Sequence, residues 1–198
     1  MAMERADGLQ VVLGASGGTG RAIVDELVRQ GRVVRAVSRH EIAGLPAGVE
    51  QVRADLYDAV SVSAAVRGAT VVFHAAQPPY DQWPGNFERM NDAVARATGA
   101  AGARLVFADN LYMYGPGASP MRETTPQRAT DRKGAQRMRL AADLLARHER
   151  GEVDVAIGRS WTTSGHMART RALESGYSGP RSKARQRVSS GAPTSRTP

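Results

Sequence analysis

The sequence predicts an α/β fold, a doubly wound parallel sheet of about six strands with helices on both faces. Short apolar runs, typical of buried strands, alternate with stretches in which apolar residues recur every three to four positions, as in amphipathic helices. The first apolar run also leads directly into a cluster of glycines and then into a helical pattern. Because strands that alternate with helices pair in parallel, we expect the strand order 3-2-1-4-5-6.

The first strand–helix–strand unit is predicted in residues 10–39, QVVLGASGGTGRAIVDELVRQGRVVRAVSR. An apolar run over 11–13 precedes the glycines, an amphipathic helix follows to about residue 30, and a second apolar run covers 33–37. A strand, a glycine turn, a helix and a second strand in this order are typical of a dinucleotide-binding unit. The alternative is a glycine turn that holds no ligand.

The glycines of this turn have separate roles in the prediction. A side chain at Gly14 would obstruct the turn out of the strand, one at Gly17 would keep the backbone away from a pyrophosphate, and one at Gly20 would hold the helix off the sheet. The free N–H groups around residues 17–19 would face the phosphates at the positive end of the helix dipole. The predicted cofactor-binding residues of this turn are Gly14, Ser16, Gly17, Gly18, Thr19 and Gly20.

The spacing G-x-x-G-x-x-G resembles that of the short-chain dehydrogenase/reductase superfamily. The segments GASGGTG, VVFHAA and LYMYGP make the sequence similar to the NAD-dependent epimerase/dehydratase (extended) branch and its atypical relatives, from about residue 9 to residue 159. The resemblance implies an NAD(P)-binding Rossmann-like domain in residues 1–159 and a sugar nucleotide or small carbonyl compound as substrate. The chain is short for this branch, whose members carry a substrate-binding lobe after the cofactor domain.

The end of the second strand bears on the choice of cofactor. A carboxylate about twenty residues after the glycines would bind the ribose hydroxyls of NAD and repel a 2′-phosphate. Ser38 holds that place, Arg39 follows it, and Arg35 lies shortly before it. Because hydrogen bonds between a guanidinium and a phosphate contribute about 1.5–3 kcal/mol each, we predict a preference for NADP, with NAD as the other candidate. Arg39 could instead be an ordinary surface arginine.

Residues 50–53 read as the third strand and lead to Asp55 and Leu56. In the family that the sequence resembles, an Asp at this place lies beside the adenine and accepts a hydrogen bond from its amino group. Asp55 could instead cap the helix predicted over 58–66, and both interpretations stay open.

The fourth apolar run, residues 70–76, ends in small residues that would let a cofactor lie across the strand end. Ala75 and Ala76 are therefore expected on the ribose or nicotinamide side, whereas His74, inside the strand, is expected to be a core histidine. The proline-rich loop 78–85 is interpreted either as a lid or as a surface loop held by one aromatic residue. The remaining elements are predicted as helices over 87–101 and 132–150 and strands over 104–108 and 153–157.

The resemblance also implies a catalytic Tyr and Lys, four residues apart on a helix, and a Ser or Thr after the fifth strand. The sequence has two lysines, Lys133 and Lys183, and neither lies four residues after a tyrosine. Alignment with the family places Ala135 and Arg139 where the Tyr and the Lys belong, and Tyr112 at the Ser position. The catalytic residues are therefore left unknown.

Two tyrosines offer an alternative source of a catalytic phenol. Tyr112 or Tyr114 could supply it from the loop after the fifth strand, with Asn110 or Arg139 to orient it. Both tyrosines could equally be packing residues.

Residues 160–198 break the pattern of the chain. The segment is rich in Ser, Arg, Gly, Pro and Thr, and it has no sustained periodicity, so a disordered basic tail is predicted in place of the substrate lobe. Residues 161–198 hold seven of the 27 Lys and Arg but one of the 19 Asp and Glu, and so account for most of the net charge of +8. We interpret the segment as the product of a frameshift near Ser160 that replaced the substrate lobe with unselected sequence.

Composition argues against several classes of protein. There is no cysteine for disulfides or thiolate metal sites, and the four histidines are scattered, so no metal site is predicted. No run approaches membrane-spanning length and the first residues do not resemble a signal peptide, so we expect a cytoplasmic protein without a membrane partner. A small-molecule substrate and a homodimer are the expected partners, and the sparse aromatic residues of the tail disfavour nucleic acid.

Overall fold

The computed structural model describes residues 8–115 and 120–160, and within them six parallel strands form one sheet in the predicted order β3-β2-β1-β4-β5-β6. The strands are β1 (Leu9–Leu13), β2 (Val34–Ser38), β3 (Glu50–Arg53), β4 (Ala69–His74), β5 (Arg104–Asn110) and β6 (Asp154–Ser160). The helices are α1 (Gly18–Arg29), α2 (Ala59–Val66), α3 (Asn86–Ala100) and α4 (Arg132–Glu149). No helix in this described part combines the length and apolar content that a bilayer-spanning segment needs.

The sheet is buried on both faces, because successive side chains of a strand point to opposite sides. Val11 and Leu13 of β1 pack into the larger apolar cluster, to which α2, α3 and α4 contribute. Val12 packs with Val24 and Leu27 of α1 in the smaller cluster on the opposite face. This burial on two faces explains why the central strands read as continuous apolar runs.

Two helices begin at an aspartate that caps them. Asp58 accepts hydrogen bonds from two N–H groups in the first turn of α2, and Asp131 does the same for α4. Each such cap contributes about 1 kcal/mol. Asp55 therefore does not cap α2, contrary to one of the two interpretations, because its carboxylate accepts a hydrogen bond from the N–H of Tyr57 at 3.0 Å in the preceding turn.

The last two strands extend further than the apolar pattern predicts. β5 continues to Asn110 and β6 to Ser160, and the two strands stay paired through Asp109 and Arg159 to their ends. The polar residues at the carboxyl ends of β5 and β6 are typical of loops when the sequence is considered alone. They continue the strands because the side chains of Asp109 and Arg159 lie within 3.5 Å of each other across the pair.

The predicted tail begins at the end of β6. Ser160 is the last residue of that strand, and residues 161–198 lie outside the described ranges. The tail, its disorder, the frameshift interpretation and the boundary at residue 159 therefore stay predictions.

His74 is a core histidine, as the sequence indicates. Its side chain is fully buried, its Nε2 lies 3.0 Å from Asn91 Oδ1, and its ring centroid is 5.4 Å from that of Phe107. Burial lowers the pKa of the imidazole from 6.5 to about 4, so the ring is neutral at neutral pH.

The buried His74 is expected to make the protein sensitive to mild acid. Because the pKa is lower in the folded than in the unfolded chain, the stability that His74 contributes is complete above pH 6.5 and decreases as the pH falls towards 4. We expect His74→Gln to remove this dependence, so that the wild-type free energy of unfolding falls by about 2 kcal/mol more than that of the variant between pH 7.5 and pH 5. Urea unfolding at both pH values measures this difference, and parallel losses would contradict the assignment.

Candidate functional site

A cavity of about 530 Å³ lies at the carboxyl edge of the sheet. In a doubly wound sheet, ligands bind at this edge, where the chain connections diverge between β1 and β4. The cavity is lined by all of the predicted cofactor residues except Gly20, namely Gly14, Ser16, Gly17, Gly18, Thr19, Ser38, Arg39, Asp55, Leu56, Ala75 and Ala76. That these residues bind a cofactor stays a prediction.

The turn after β1 is built from backbone in close contact with backbone. Gly14 has a φ of +80°, and a Cβ at this position would lie 2.6 Å from the Cα of Ala76. A Cβ at Gly20 would overlap the carbonyl group of Gly14. Gly20 is therefore buried behind the turn and does not line the cavity, and its role is the predicted close packing of α1 on the strand.

Gly17 differs from the prediction in one respect. Its N–H donates a hydrogen bond to the Gly14 carbonyl at 3.0 Å, so this N–H is not free to face a phosphate. The start of α1 is different, because no side chain of the described residues caps it and its first turn holds no acidic residue. The N–H groups at the start of a helix have no acceptor within the helix, and Gly18 and Thr19 line the cavity there. An anion would find uncapped amide donors and the positive end of the helix dipole.

The two arginines near the end of β2 have different surroundings. Arg35 is tied down, because its Nε lies 2.8 Å from Glu50 Oε2 and its Nη1 donates to the Ala65 carbonyl. Arg39 is exposed and lines the cavity. Ser38, beside it, is buried and donates its hydroxyl to the carbonyl of His40. Of the two cationic groups, Arg39 is therefore the one placed to meet a ligand.

The cavity wall also contains a buried ion pair that the sequence did not reveal. Nη1 of Arg137, on α4, lies 3.2 Å from Asp109 Oδ1 at the end of β5, and the two side chains are at most 1% exposed. Nη2 of Arg137 donates to Gln77 Oε1 at 2.9 Å. The guanidinium lies over the rings of Trp83 and Phe87, with its Cζ 4.4 Å and 4.5 Å from their centroids.

A second arginine approaches the same carboxylate from β6. Nε of Arg159 lies 3.5 Å from Asp109 Oδ2, and its Nη1 donates to the hydroxyl of Tyr114 at 3.0 Å. Asp109, Arg137 and Arg159 all line the cavity, and we call these three residues the inner charge cluster.

The charge state of the inner charge cluster follows from opposing effects. Burial raises the pKa of the Asp109 carboxyl, while the two guanidinium groups beside it act in the opposite direction. Burial lowers the pKa of Arg137, and Asp109 counteracts that effect. Arginine stays protonated in proteins, so the cluster combines two guanidinium groups with one carboxyl group.

The catalytic candidates suggested by the sequence do not lie in the cavity. Arg137 of α4 lines the cavity. Ala135 and Arg139, two residues before and after it, do not line the cavity, and Arg139 is exposed. Tyr114 is buried against Arg159, and Tyr112 stacks on Trp83 outside the cavity lining. These positions favour the packing alternative, and a catalytic phenol at residue 112 or 114 stays a prediction.

The same helix carries a signal that would have revealed Arg137. Arg137 lies on the apolar stripe of α4 with Leu140, Ala141 and Leu144, all of which are buried. An arginine on a core-facing stripe needs a buried partner, because an isolated buried charge is too costly. The acidic residue that follows the apolar run of β5, Asp109, is that partner.

The loop between β4 and α3 forms one rim of the cavity. Pro78 and Pro79 line the cavity, and the buried Trp83 donates its indole N–H to the Pro78 carbonyl at 3.3 Å. Lys133 of α4 donates to the carbonyl of Tyr80 and lies 4.0 Å from the centroid of its ring. The loop is thus attached to α4 through its aromatic residues, and its role as a lid stays a prediction.

Comparison with known proteins agrees with this geometry. A family model described as NAD(P)H-binding matches residues 14–185, from the glycine turn into the predicted tail. An uncharacterized protein of Mycobacterium tuberculosis is 40% identical over 65 residues, which are 33% of this chain and 8% of that protein.

Two solved structures illustrate the similarity of fold. A short-chain dehydrogenase/reductase superfamily protein from Agrobacterium tumefaciens with bound NAD is 30% identical, with a TM-score of 0.61 over 76% of this chain and 48% of that chain. A UDP-glucose 4-epimerase from Thermus thermophilus in complex with NAD is 24% identical, with a TM-score of 0.66 over 76% of this chain and 54% of that chain. The chain therefore spans about half the length of the solved structures that it resembles.

Gly17 and Gly20 are expected to respond differently to an added methyl group. Gly20→Ala should lower the free energy of unfolding by about 2 kcal/mol or more, because the methyl overlaps the backbone of the Gly14 turn. Gly17→Ala is the matched control, since its Cβ would meet nothing nearer than the Gly14 carbonyl oxygen at 3.4 Å, and we expect a change below about 1 kcal/mol. Urea unfolding of both variants checks the difference, and equal losses would be inconsistent with this packing.

Proposed function

Because the chain belongs to the NAD(P)H-binding family, we propose that it binds a nicotinamide dinucleotide along the carboxyl edge of its sheet. It would serve as the cofactor domain of an epimerase, dehydratase or reductase that acts on a sugar nucleotide or a small carbonyl compound. The observation that carries the proposal is the uncapped start of α1, where Gly18 and Thr19 line the cavity. Aspartates cap α2 and α4, and α3, which also lacks a side-chain cap, has an acidic residue in its first turn. A diphosphate would satisfy the amides that no side chain caps.

The rest of the cavity wall suits the other parts of the cofactor. Asp55 and the buried Leu56 follow β3 and would contact the adenosine, with the carboxylate placed to accept a hydrogen bond from the adenine amino group. Ala75 and Ala76 follow β4 and would leave space for the ribose and nicotinamide. When bound, the cofactor would supply a hydride donor or acceptor, while these residues hold and orient it.

We further propose that NADP is preferred over NAD. Arg39 is exposed on the cavity wall directly after β2, where the ribose 2′-position of the cofactor is expected. The residue before it, Ser38, carries no negative charge that would repel a phosphate. Arg35 does not contribute, because Glu50 and backbone carbonyls already occupy its guanidinium.

The second candidate is an NADP-binding protein without catalytic activity, either a regulatory protein or an inactive truncated product. It is favoured by the described cavity lining, which holds an ion pair of Arg137 and Asp109 and no lysine. A cytoplasmic location and a homodimer also stay predictions.

Calorimetry with NADP tests cofactor binding directly. Gly17→Val is expected to weaken binding at least tenfold while the fold is retained, because its side chain would occupy the space beside the helix amides that a diphosphate needs. Ala22→Val adds similar bulk on the exposed side of α1 and should leave the affinity unchanged. Undiminished binding of NADP to Gly17→Val would refute the proposed site.

If the wild type binds NADP but shows no turnover with a panel of carbonyl compounds and sugar nucleotides, the non-catalytic candidate is favoured.

The role of Arg39 is tested by comparing the two cofactors. Arg39→Gln is expected to lower the affinity for NADP about tenfold or more and to leave that for NAD within about twofold, since one charge-assisted contact with the 2′-phosphate is lost. The exposed Arg67 precedes β4 at the opposite edge of the sheet, and Arg67→Gln controls for the change in net charge. Parallel losses for NADP and NAD would show that Arg39 does not select the phosphate.

A further inference from the structure

The inner charge cluster is not used by the proposed cofactor contacts. It lies where the ends of β5, β6 and α4 meet the cavity, away from the glycine turn after β1. Two guanidinium groups surround one carboxylate, so Asp109 neutralises one of the two arginines and a single positive charge remains.

The hydrogen bonds of the inner charge cluster are incomplete among the described residues. Oδ2 of Asp109, Nε of Arg137 and Nε of Arg159 are buried without a hydrogen-bond partner there. The Arg137 side chain is 1% exposed, yet it forms part of the cavity wall. Buried donors of a charged group are costly to leave unpaired, and a ligand oxygen in the cavity would remove that cost.

The fixed orientation of the Arg137 guanidinium favours a planar anion. Arg137 is held by Gln77 and by Asp109, and its guanidinium lies over Trp83 and Phe87, so its plane is set before any ligand arrives. Arginine forms paired hydrogen bonds with carboxylates because the donors of its planar fork match the two oxygens. A carboxylate also carries the one negative charge that the inner charge cluster lacks.

We propose that the inner charge cluster binds a carboxylate of the substrate, with Arg137 and Arg159 as the ligands of that carboxylate and Asp109 as the residue that positions them. The substrate of the proposed epimerase, dehydratase or reductase is then a hydroxy or oxo acid, such as a sugar acid, in place of a neutral carbonyl compound. This inference rests on the proposed function for the reaction, but the binding of a carboxylate is measurable without the cofactor.

Ligand-detected NMR on the full chain tests the proposal with two matched pairs of probes. Acetate and D-glucuronate are expected to bind, whereas acetamide and D-glucose, which lack the charge, are expected to bind at least tenfold more weakly. Arg159→Gln should weaken the binding of both carboxylates about tenfold, and Arg159→Lys, which keeps the charge, should recover much of it. Arg104→Gln is the control, because Arg104 pairs with Asp154 at the opposite ends of the same two strands.

Asp109→Asn separates this role from a purely structural one. Asparagine keeps an oxygen that can still position the arginines but removes the charge that competes with the ligand, so acetate binding should strengthen, whereas damage to a structural ion pair would weaken it. Equal affinity for acetate and acetamide, or undiminished acetate binding by Arg159→Gln, would overturn the proposal.

Calorimetry with NADP on the same variants keeps the two proposals apart, because Arg159→Gln should leave the affinity for NADP unchanged. Acetate binding by a wild type that does not bind NADP would refute the proposed function alone.

Discussion

The structure depends on one backbone contact at the carboxyl end of β1. Gly14 turns the chain with a positive φ against Ala76, and Gly20 brings the first turn of α1 onto the Gly14 carbonyl. A side chain at either glycine would push α1 away from the sheet or β1 away from the segment after β4. Because the cavity begins at this point, the packing of α1 and the shape of the candidate site are consequences of the same contact.

Near the ends of β5 and α4 the cavity wall is formed by charged side chains, whereas at the end of β1 it is formed by backbone. Two apolar rings, Trp83 and Phe87, cover the guanidinium of Arg137, and Asp109 is fully buried beside it. Replacing a buried ion pair by apolar residues is often neutral or stabilising, so stability alone is a weak reason for such a group. A binding role for Arg137 and Asp109 is consistent with their place on the wall of the cavity.

The sequence predicted the sheet, its strand order and the glycine turn, because each rests on a local pattern. It was less successful at the ends of the strands. Asp109 and Arg159 resemble loop residues when the two segments are considered separately, and they belong to strands because their side chains meet across β5 and β6.

The sequence by itself determined where the chain alternates between strand and helix and which positions of the first turn need glycine. Those features depend on periodicity and on the conformational freedom of glycine, both of which act over a few residues. Only the tertiary structure decided which charged side chains share the cavity. Asp109 and Arg137 are 28 residues apart and Arg159 lies on another strand, so their meeting depends on the parallel pairing of β5 with β6 and on the packing of α4. Contacts between distant segments are set by the whole fold, and a local pattern does not contain them.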